Sequence, residues 1–294
     1  MPWALDVFLP AGGLLLLQSA WSLADGFRFL RLVRGRLETS PADFMPAAAV
    51  IIPCKGLDQG FDDNVERFLN QDYPDYQVVF AAASGDDAAY RRLCRVLGER
   101  LEKGVSLKPR VALVVAGLSE QRGEKVHNLL RGIEAVDPAV EVLVFADIDA
   151  SPSPDWLRSL VAPLADSRVT VSTGFRWYLP GEGFVSRLRA AWDTSIASLL
   201  GDPIRNPAWG GSTAIRLATF RELAIAERHW AGTVSDDLSL TRAVREAGGT
   251  IAFEPRCLVA SREESSLSEF LRWSTRQVIL SRVYSPFAWR VGLT

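Results

Sequence analysis

Between Ala48 and Thr173 the chain alternates short apolar runs of strand length with longer stretches of helical spacing, and this alternation constrains the fold more than any other feature. The runs Ala48 to Ile52, Gln77 to Ala82, Arg110 to Val115, Glu141 to Ala146 and Val169 to Thr173 are predicted strands. Helical patterns fall between them, over Asp62 to Asn70, Asp87 to Arg100, Glu124 to Val136 and Pro154 to Leu164. A parallel strand is covered on both faces, so it reads as an unbroken apolar run, and it needs a helical crossover to reach its neighbour. The pattern predicts an α/β fold, a mostly parallel sheet flanked by helices. With 294 residues and 48% hydrophobic side chains, the chain can bury one large core, and no internal repeat or low-complexity segment interrupts it. In such sheets a ligand binds beyond the carboxyl ends of the strands.

The segments flanking this core read differently. Val7 to Ala24 is an uncharged run of about 18 residues, just long enough for a membrane-spanning helix, although Pro10, Gly12, Gly13 and Gln18 weaken it and a buried helix is the alternative. No cleavable-signal pattern accompanies it, and Arg28, Arg31, Arg34 and Arg36 follow. Residues 1–27 are therefore expected to be a transmembrane helix and 28–46 a basic juxtamembrane linker, with residues 47–263 in the cytoplasm, at the inner membrane if the source is bacterial. Over 264–294, Leu267 to Tyr284 mixes apolar residues with Arg272, Arg276 and Arg282, which suits an amphipathic helix on a bilayer and suits a domain-packing helix nearly as well.

Composition excludes several classes. A net charge of −2 argues against nucleic acid as a partner. Cys54, Cys94 and Cys257 are far apart with no metal-ligand spacing, and read as reduced thiols in or near the core. His127 and His229 lie in no nucleophile motif, so any acid–base work falls to carboxylates.

Phe145-Ala146-Asp147-Ile148-Asp149 closes a predicted buried strand with two carboxylates. The side-chain period of two lets Asp147 and Asp149 project the same way, and hard cations such as Mg²⁺ take carboxylate oxygen with room left for phosphate. Such a pair can equally be a turn or a helix N-cap. Four clusters fall at other strand ends or helix starts: Ser84-Gly85-Asp86-Asp87, where either aspartate could instead be a cap; Arg122-Gly123-Glu124-Lys125; Trp209-Gly210-Gly211-Ser212; and Ser235-Asp236-Asp237. A lysine at a helix start can meet a diphosphate, and paired glycines allow close backbone approach.

In order and spacing these pieces resemble glycosyltransferase family 2, and within it the ceramide-glucosyltransferase-like membrane branch. The resemblance runs from Val50 to about Pro286 through Val50-Ile51-Ile52-Pro53-Cys54-Lys55-Gly56, Asn70-Gln71-Asp72-Tyr73-Pro74, Asp86-Asp87, Lys125 with Asn128, Asp147-Ile148-Asp149, Trp209-Gly210-Gly211-Ser212, Asp236-Asp237 and Arg272-Trp273. It implies a GT-A fold that transfers a sugar from a UDP-sugar, with inversion and with Mg²⁺ or Mn²⁺, to the hydroxyl of a membrane lipid. On that resemblance Asp149 binds the metal with Asp147 assisting, and Pro53, Lys55, Asp86, Lys125 and Asp147 hold the nucleotide-sugar. Trp209, Gly210 and Gly211 border the acceptor, as do the aromatics Phe175, Trp177, Tyr178 and Trp192. Asp237 is the base, beside Asp236, and Arg272 and Trp273 close over the diphosphate.

Two departures stand out. Glu269 occupies a position that is usually Gln or Arg, with Gln277 one turn beyond Trp273 as a substitute, and the chain ends at Thr294 where relatives continue into further membrane helices, as in a fragment or a short member. The alternatives are a membrane-tethered nucleotide-sugar-binding scaffold without turnover, a processive polysaccharide synthase, and a haloacid-dehalogenase-like phosphatase with Asp147 as nucleophile.

Overall fold

A computed structural model of the chain describes residues 3–58, 60–104, 109–197, 200–286 and 289–290. The expectations for residues 1–2 and 291–294 lie outside them. Seven strands form one mixed sheet: β1 Ala48–Cys54, β2 Tyr76–Ala82, β3 Arg110–Val115, β4 Val142–Ala146, β5 Val171–Pro180, β6 Ser212–Arg216 and β7 Ile251–Glu263. The helices are α1 Trp3–Glu38, α2 Phe61–Leu69, α3 Ala88–Glu102, α4 Glu124–Glu134, α5 Trp156–Val161, α6 Phe184–Ala197, α7 Leu217–Glu222, α8 Asp236–Glu246 and α9 Leu267–Tyr284.

The strand order is β3-β2-β1-β4-β6-β5-β7. β1 to β4 run parallel, as predicted, whereas β6 is antiparallel to both β4 and β5. Sequence reading missed β6 and β7. β6 is five residues of mixed polarity, and β7 is broken by the buried Glu254, by Pro255 and by Arg256, so neither reads as an apolar run.

Period-two geometry divides the core between the two faces of the sheet. Ala48, Val50 and Ile52 of β1 pack with Phe68, Leu93 and Trp156 on one face, while Ala49 and Ile51 pack with Val126, Leu129 and Trp230 on the other. Local chemistry starts the helices. The Asp87 carboxylate caps α3 by accepting from Ala89 N–H at 2.8 Å. Ser266 and Glu269 form a reciprocal capping box at α9.

The N-terminal expectation needs correction. Among the described residues no helix is long and apolar enough to cross a membrane. α1 has the length, but Pro10, Gly12, Gly13, Gln18, Ser19 and Ser22 dilute its apolar character, and it continues as helix through the arginines expected in a linker. Its later half is docked: Phe29, Leu32 and Val33 join a small cluster with Phe175 and Phe253, and the Phe29 ring stacks on Phe253 at 5.9 Å. Its earlier half exposes Leu14, Leu15, Leu16, Leu17 and Trp21. Cys54 and Cys257 are buried as expected, whereas Cys94 is exposed; all three thiols are free.

Candidate active site

β4 ends at Ala146 and delivers Asp147 and Asp149 beyond the sheet, at an edge shared with the ends of β1 and β2. Both carboxylates meet cations. Lys125, in the first turn of α4, places Nζ 2.8 Å from Asp147 Oδ1 and 3.3 Å from Asp236 Oδ2. Arg176 of β5 spans both oxygens of Asp149 at 2.6 and 2.7 Å, and one nitrogen stands 3.5 Å from Asp147. The guanidinium lies over the Trp209 ring at 5.5 Å and near the Tyr178 ring at 5.9 Å.

Loop packing explains why Lys125 reaches Asp236 across the chain. Gly123 N–H donates to Thr233 C=O at 2.8 Å, and a Cβ on Gly123 would lie 2.9 Å from the Val234 backbone, so only glycine lets the loops before α4 and α8 touch. Gly210 and Gly211 do the same in the centre: side chains there would run into the Asp236 and Asp147 carboxylates, respectively. Asn64 of α2 donates to Ile148 C=O at 3.1 Å and fixes the aspartate loop from the other side.

The charges settle as ions. Burial by itself would push the Asp147 carboxyl up, but Lys125 and Arg176, with Arg276 of α9, hold it below the ordinary aspartate range. Burial would likewise push Lys125 down, yet Asp147, Asp236 and Asp237 raise it, so it stays protonated. Asp236 is pushed up, by burial first and then by Asp237 and Asp147, with Lys125 opposing.

The remaining predicted residues separate into those at this centre and those beside it. Pro53 closes β1. Lys55 is turned to Glu124 at 3.0 Å, with its side chain 74% exposed, and makes no ion pair with the aspartates. Asp86 is exposed at the end of β2, two strands from β4 and so about 10 Å across the sheet. Asp87 is a cap that also accepts from Gly56 N–H at 2.9 Å. Asp237 is half-buried and accepts from Ser235 Oγ at 2.5 Å and Leu238 N–H at 2.7 Å.

On α9, Arg272 is exposed and lines an apolar groove with Val234, Leu271, Arg276 and Ile279. Trp273 packs inward against Tyr178, Trp192 and Phe270, ring centroids 6.0–6.4 Å apart. Glu269 is occupied by its capping box, which explains the departure from Gln or Arg on helix-start grounds. The cation one turn beyond Trp273 is Arg276, whose charge reaches Asp147, while Gln277 is half-exposed with its carbonyl taken by Ser281.

Sequence reading also missed Arg176, Asp193 and Tyr284. The Tyr284 hydroxyl ties α9 to the loop before α8, 2.7 Å from Thr233 Oγ1 and 3.0 Å from Val234 N. Arg176 carried a local signal, a lone cation inside the apolar run of β5.

A cleft of about 1380 Å³ opens beside Asp149, lined among others by Asp58, Asn64, Arg187 and Glu264. Asp58 is pushed up by burial and by the neighbouring Asp149. Among the described residues no group of three or more His, Cys, Asp or Glu could hold a metal. Two aspartates at a strand end nevertheless suit a hard cation whose other ligands are phosphate oxygens.

The family model described as Glycosyl transferase family 21 matches residues 15–291. The chain belongs to that family. It is a glycosyltransferase, of family 21 where the motifs resembled family 2; the phosphatase reading of Asp147 falls with this, and Lys125 already engages the Asp147 carboxylate that would have been the nucleophile. Among solved structures it is similar to a mannosyltransferase from Pyrobaculum calidifontis in complex with GDP-Man and Mn²⁺, at 18% identity and TM-score 0.56 over 90% of this chain and 71% of that one. A glucosyl-3-phosphoglycerate synthase from Mycobacterium tuberculosis matches at 19% identity and TM-score 0.49 over 86% of this chain and 82% of that one. The first likeness makes the architecture GT-A-like.

Proposed function

We propose that this transferase moves a sugar from a UDP-sugar, with inversion, to the hydroxyl of a membrane lipid at the cytoplasmic surface. The observation that carries the reading is the pair Asp147 and Asp149 set against the half-buried Lys125 and Arg176 at the shared carboxyl edge of β1, β2 and β4. A departing nucleoside diphosphate needs cations and a carboxylate-bound metal at one point, and this edge assembles both. Mg²⁺ or Mn²⁺, held by Asp149 with Asp147, supplies charge neutralisation of the diphosphate; the mannosyltransferase crystallised with GDP-Man and Mn²⁺ supports a nucleotide-sugar and metal here.

The chain's own residues do the rest. Asp86, two strands from the metal pair, and Pro53, one strand from it, border the nucleoside. Lys125 faces the diphosphate from a helix start, and Arg276 and Arg272 approach from α9. Asp236 is committed to Lys125, whereas among the described residues Asp237 accepts from the Ser235 hydroxyl and from its own helix, so Asp237 takes the acceptor proton. Direct displacement with Asp237 as the single base inverts the anomeric centre.

Exposed Leu14 to Leu17 and Trp21 on α1, with Leu271, Ile279 and Val283 on α9, lay the enzyme against a bilayer, and Arg28, Arg31, Arg34 and Arg36 favour its anionic face. The groove between Val234, Leu271 and Ile279 leads a lipid hydroxyl towards Asp237.

The test is nucleotide release by detergent-solubilised protein given UDP-sugars or GDP-mannose, Mn²⁺ or Mg²⁺ and a lipid extract. UDP release that needs both metal and lipid, and that falls roughly 10²- to 10⁴-fold in Asp237→Asn, is expected. Binding without turnover would leave a nucleotide-sugar-binding scaffold. Release of GDP alone would move the donor to the guanosine series.

A further inference from the structure

Arg176 occupies both oxygens of Asp149, the positions a divalent cation would need. A carboxylate gripped edge-on by a guanidinium cannot also chelate a metal ion through both oxygens along that edge, so two-oxygen binding of the metal requires the guanidinium to move. Arg176 side chains are costly to bury alone, and this one is 12% exposed, so the departing guanidinium needs another carboxylate within its swing.

Asp193 of α6 is that carboxylate. The residue is 7% exposed and takes a hydrogen bond from the Tyr178 backbone, yet its Oδ2 is buried without a hydrogen-bond partner among the described residues. Burial pushes its carboxyl up to about 7, against the opposing charges of Arg176 and Arg189, so the charge of Arg176 already reaches it. Tyr178 lies two residues after Arg176 on β5 and its backbone hydrogen-bonds Asp193, which sets the buried carboxyl against the same strand segment. A buried polar atom without a partner is uncommon enough to call for a reason, and no packing role accounts for an empty oxygen.

We infer that Arg176 is a resident cation on the aspartate pair, displaced by the incoming metal, and that Asp193 is the positioning residue that receives it. The inference rests on the reading of Asp147 and Asp149 as the metal site. It makes metal affinity depend on an internal exchange: Arg176 holds the site closed to bare cations, and the diphosphate, which brings its own oxygens to the metal, drives the exchange.

Mn²⁺ binding to the full chain in detergent, followed by the electron paramagnetic resonance of the free ion with and without UDP, tests this without any turnover. Arg176→Gln is expected to bind Mn²⁺ about tenfold or more tightly in the absence of UDP, because the competitor is gone. Asp193→Asn is expected to weaken Mn²⁺ binding several-fold in the wild-type background, to have no effect in the Arg176→Gln background, and to be rescued by Asp193→Glu. If Arg176→Gln fails to fold, Arg176→Lys, which keeps a cation but cannot span both oxygens, should show the same direction at smaller size. An Arg176 variant that folds and binds Mn²⁺ no tighter, or an Asp193→Asn loss that persists without Arg176, overturns the exchange while leaving the metal site intact. Failure of every variant to bind Mn²⁺ even with UDP overturns the metal site itself, and the exchange with it.

Discussion

The half of the sheet made by β1 to β4 and the half made by β5 to β7 contribute opposite things to the same centre. In the first, parallel strands are apolar runs, those of β2 and β4 buried at every position, and apart from Gln77 and Arg110 at the starts of β2 and β3 the polar residues wait until each strand ends. In the second, β5 begins buried along Val171–Phe175 and then turns half-exposed, carrying Arg176 and Tyr178 within the strand itself. The first half supplies the carboxylates Asp147 and Asp149; the second supplies a cation and aromatic faces to cover them. The change happens at Gly174, where the β5–β7 register shifts between Thr173 and Phe175. The lesson is that a regular sheet can present charge only at its edge, whereas a bulged ribbon can carry charge along its length.

The sharpest way to break the comparison is to remove a carboxylate from the first half. Asp149→Ala is expected to lower turnover on the order of 10³-fold, because the metal then lacks its ligand and Arg176 its partner. Steady-state rates at saturating metal check this, and a loss under tenfold would place the metal elsewhere.

Gly174→Ala tests the pivot between the halves. A Cβ there would run into the Cys257 carbonyl and lie 2.6 Å from Ser212 Oγ, so a loss of about 3 kcal/mol is expected in denaturant unfolding. The same substitution at Gly98, which has nothing within 4 Å, is the control and should not destabilise.

A pH series on Asp193→Asn probes the second half. With the folded carboxyl at about 7 and the unfolded one near the ordinary value, the folded state binds the extra proton between those limits, so wild-type stability falls as pH rises through that window. The neutral variant lacks this loss. It should match wild type near pH 4 and exceed it by up to about 4 kcal/mol above pH 7, seen as a widening gap in melting temperature. A constant gap would mean that the carboxyl does not titrate there.

The smallest effect is expected at Glu269. Asp149 and Arg176 decide the centre, while Glu269 serves only the start of α9. Glu269→Ala should cost about 1 kcal/mol through the lost capping box, and Glu269→Gln almost nothing, with turnover kept in both. A rate that fell tenfold in Glu269→Gln would restore this position to the site.

Much of this was legible because the physics is local. The strand β3 was predicted to the residue, and β1, β2 and β4 to within two, since parallel strands announce themselves as apolar runs. The motif aspartates, Lys125 and the Gly210-Gly211 pair were all visible as strand-end or helix-start residues, and the structure does converge them. Arg176, Arg276 and Tyr284 were not, because nothing near them in sequence signals a partner: Arg176 is 27 residues from Asp149, and Tyr284 is 51 from Thr233. The membrane-spanning expectation for α1 rested on an uncharged run without a cleavage pattern and on the arginines after it, and polar residues in the run left it short of a spanning helix.

The sequence by itself determined that this chain folds as helices around a parallel sheet and that two aspartates stand at its edge, because side-chain period and burial act over a few residues. Only the tertiary structure decided which cations meet those aspartates, that Glu269 is a cap, and that Asp193 is buried with an unfilled oxygen. Charge pairing depends on distance through space, and a chain's order along its length carries little of that information until the bulge at Gly174 and the loops at Gly123 and Gly210 have brought the partners together.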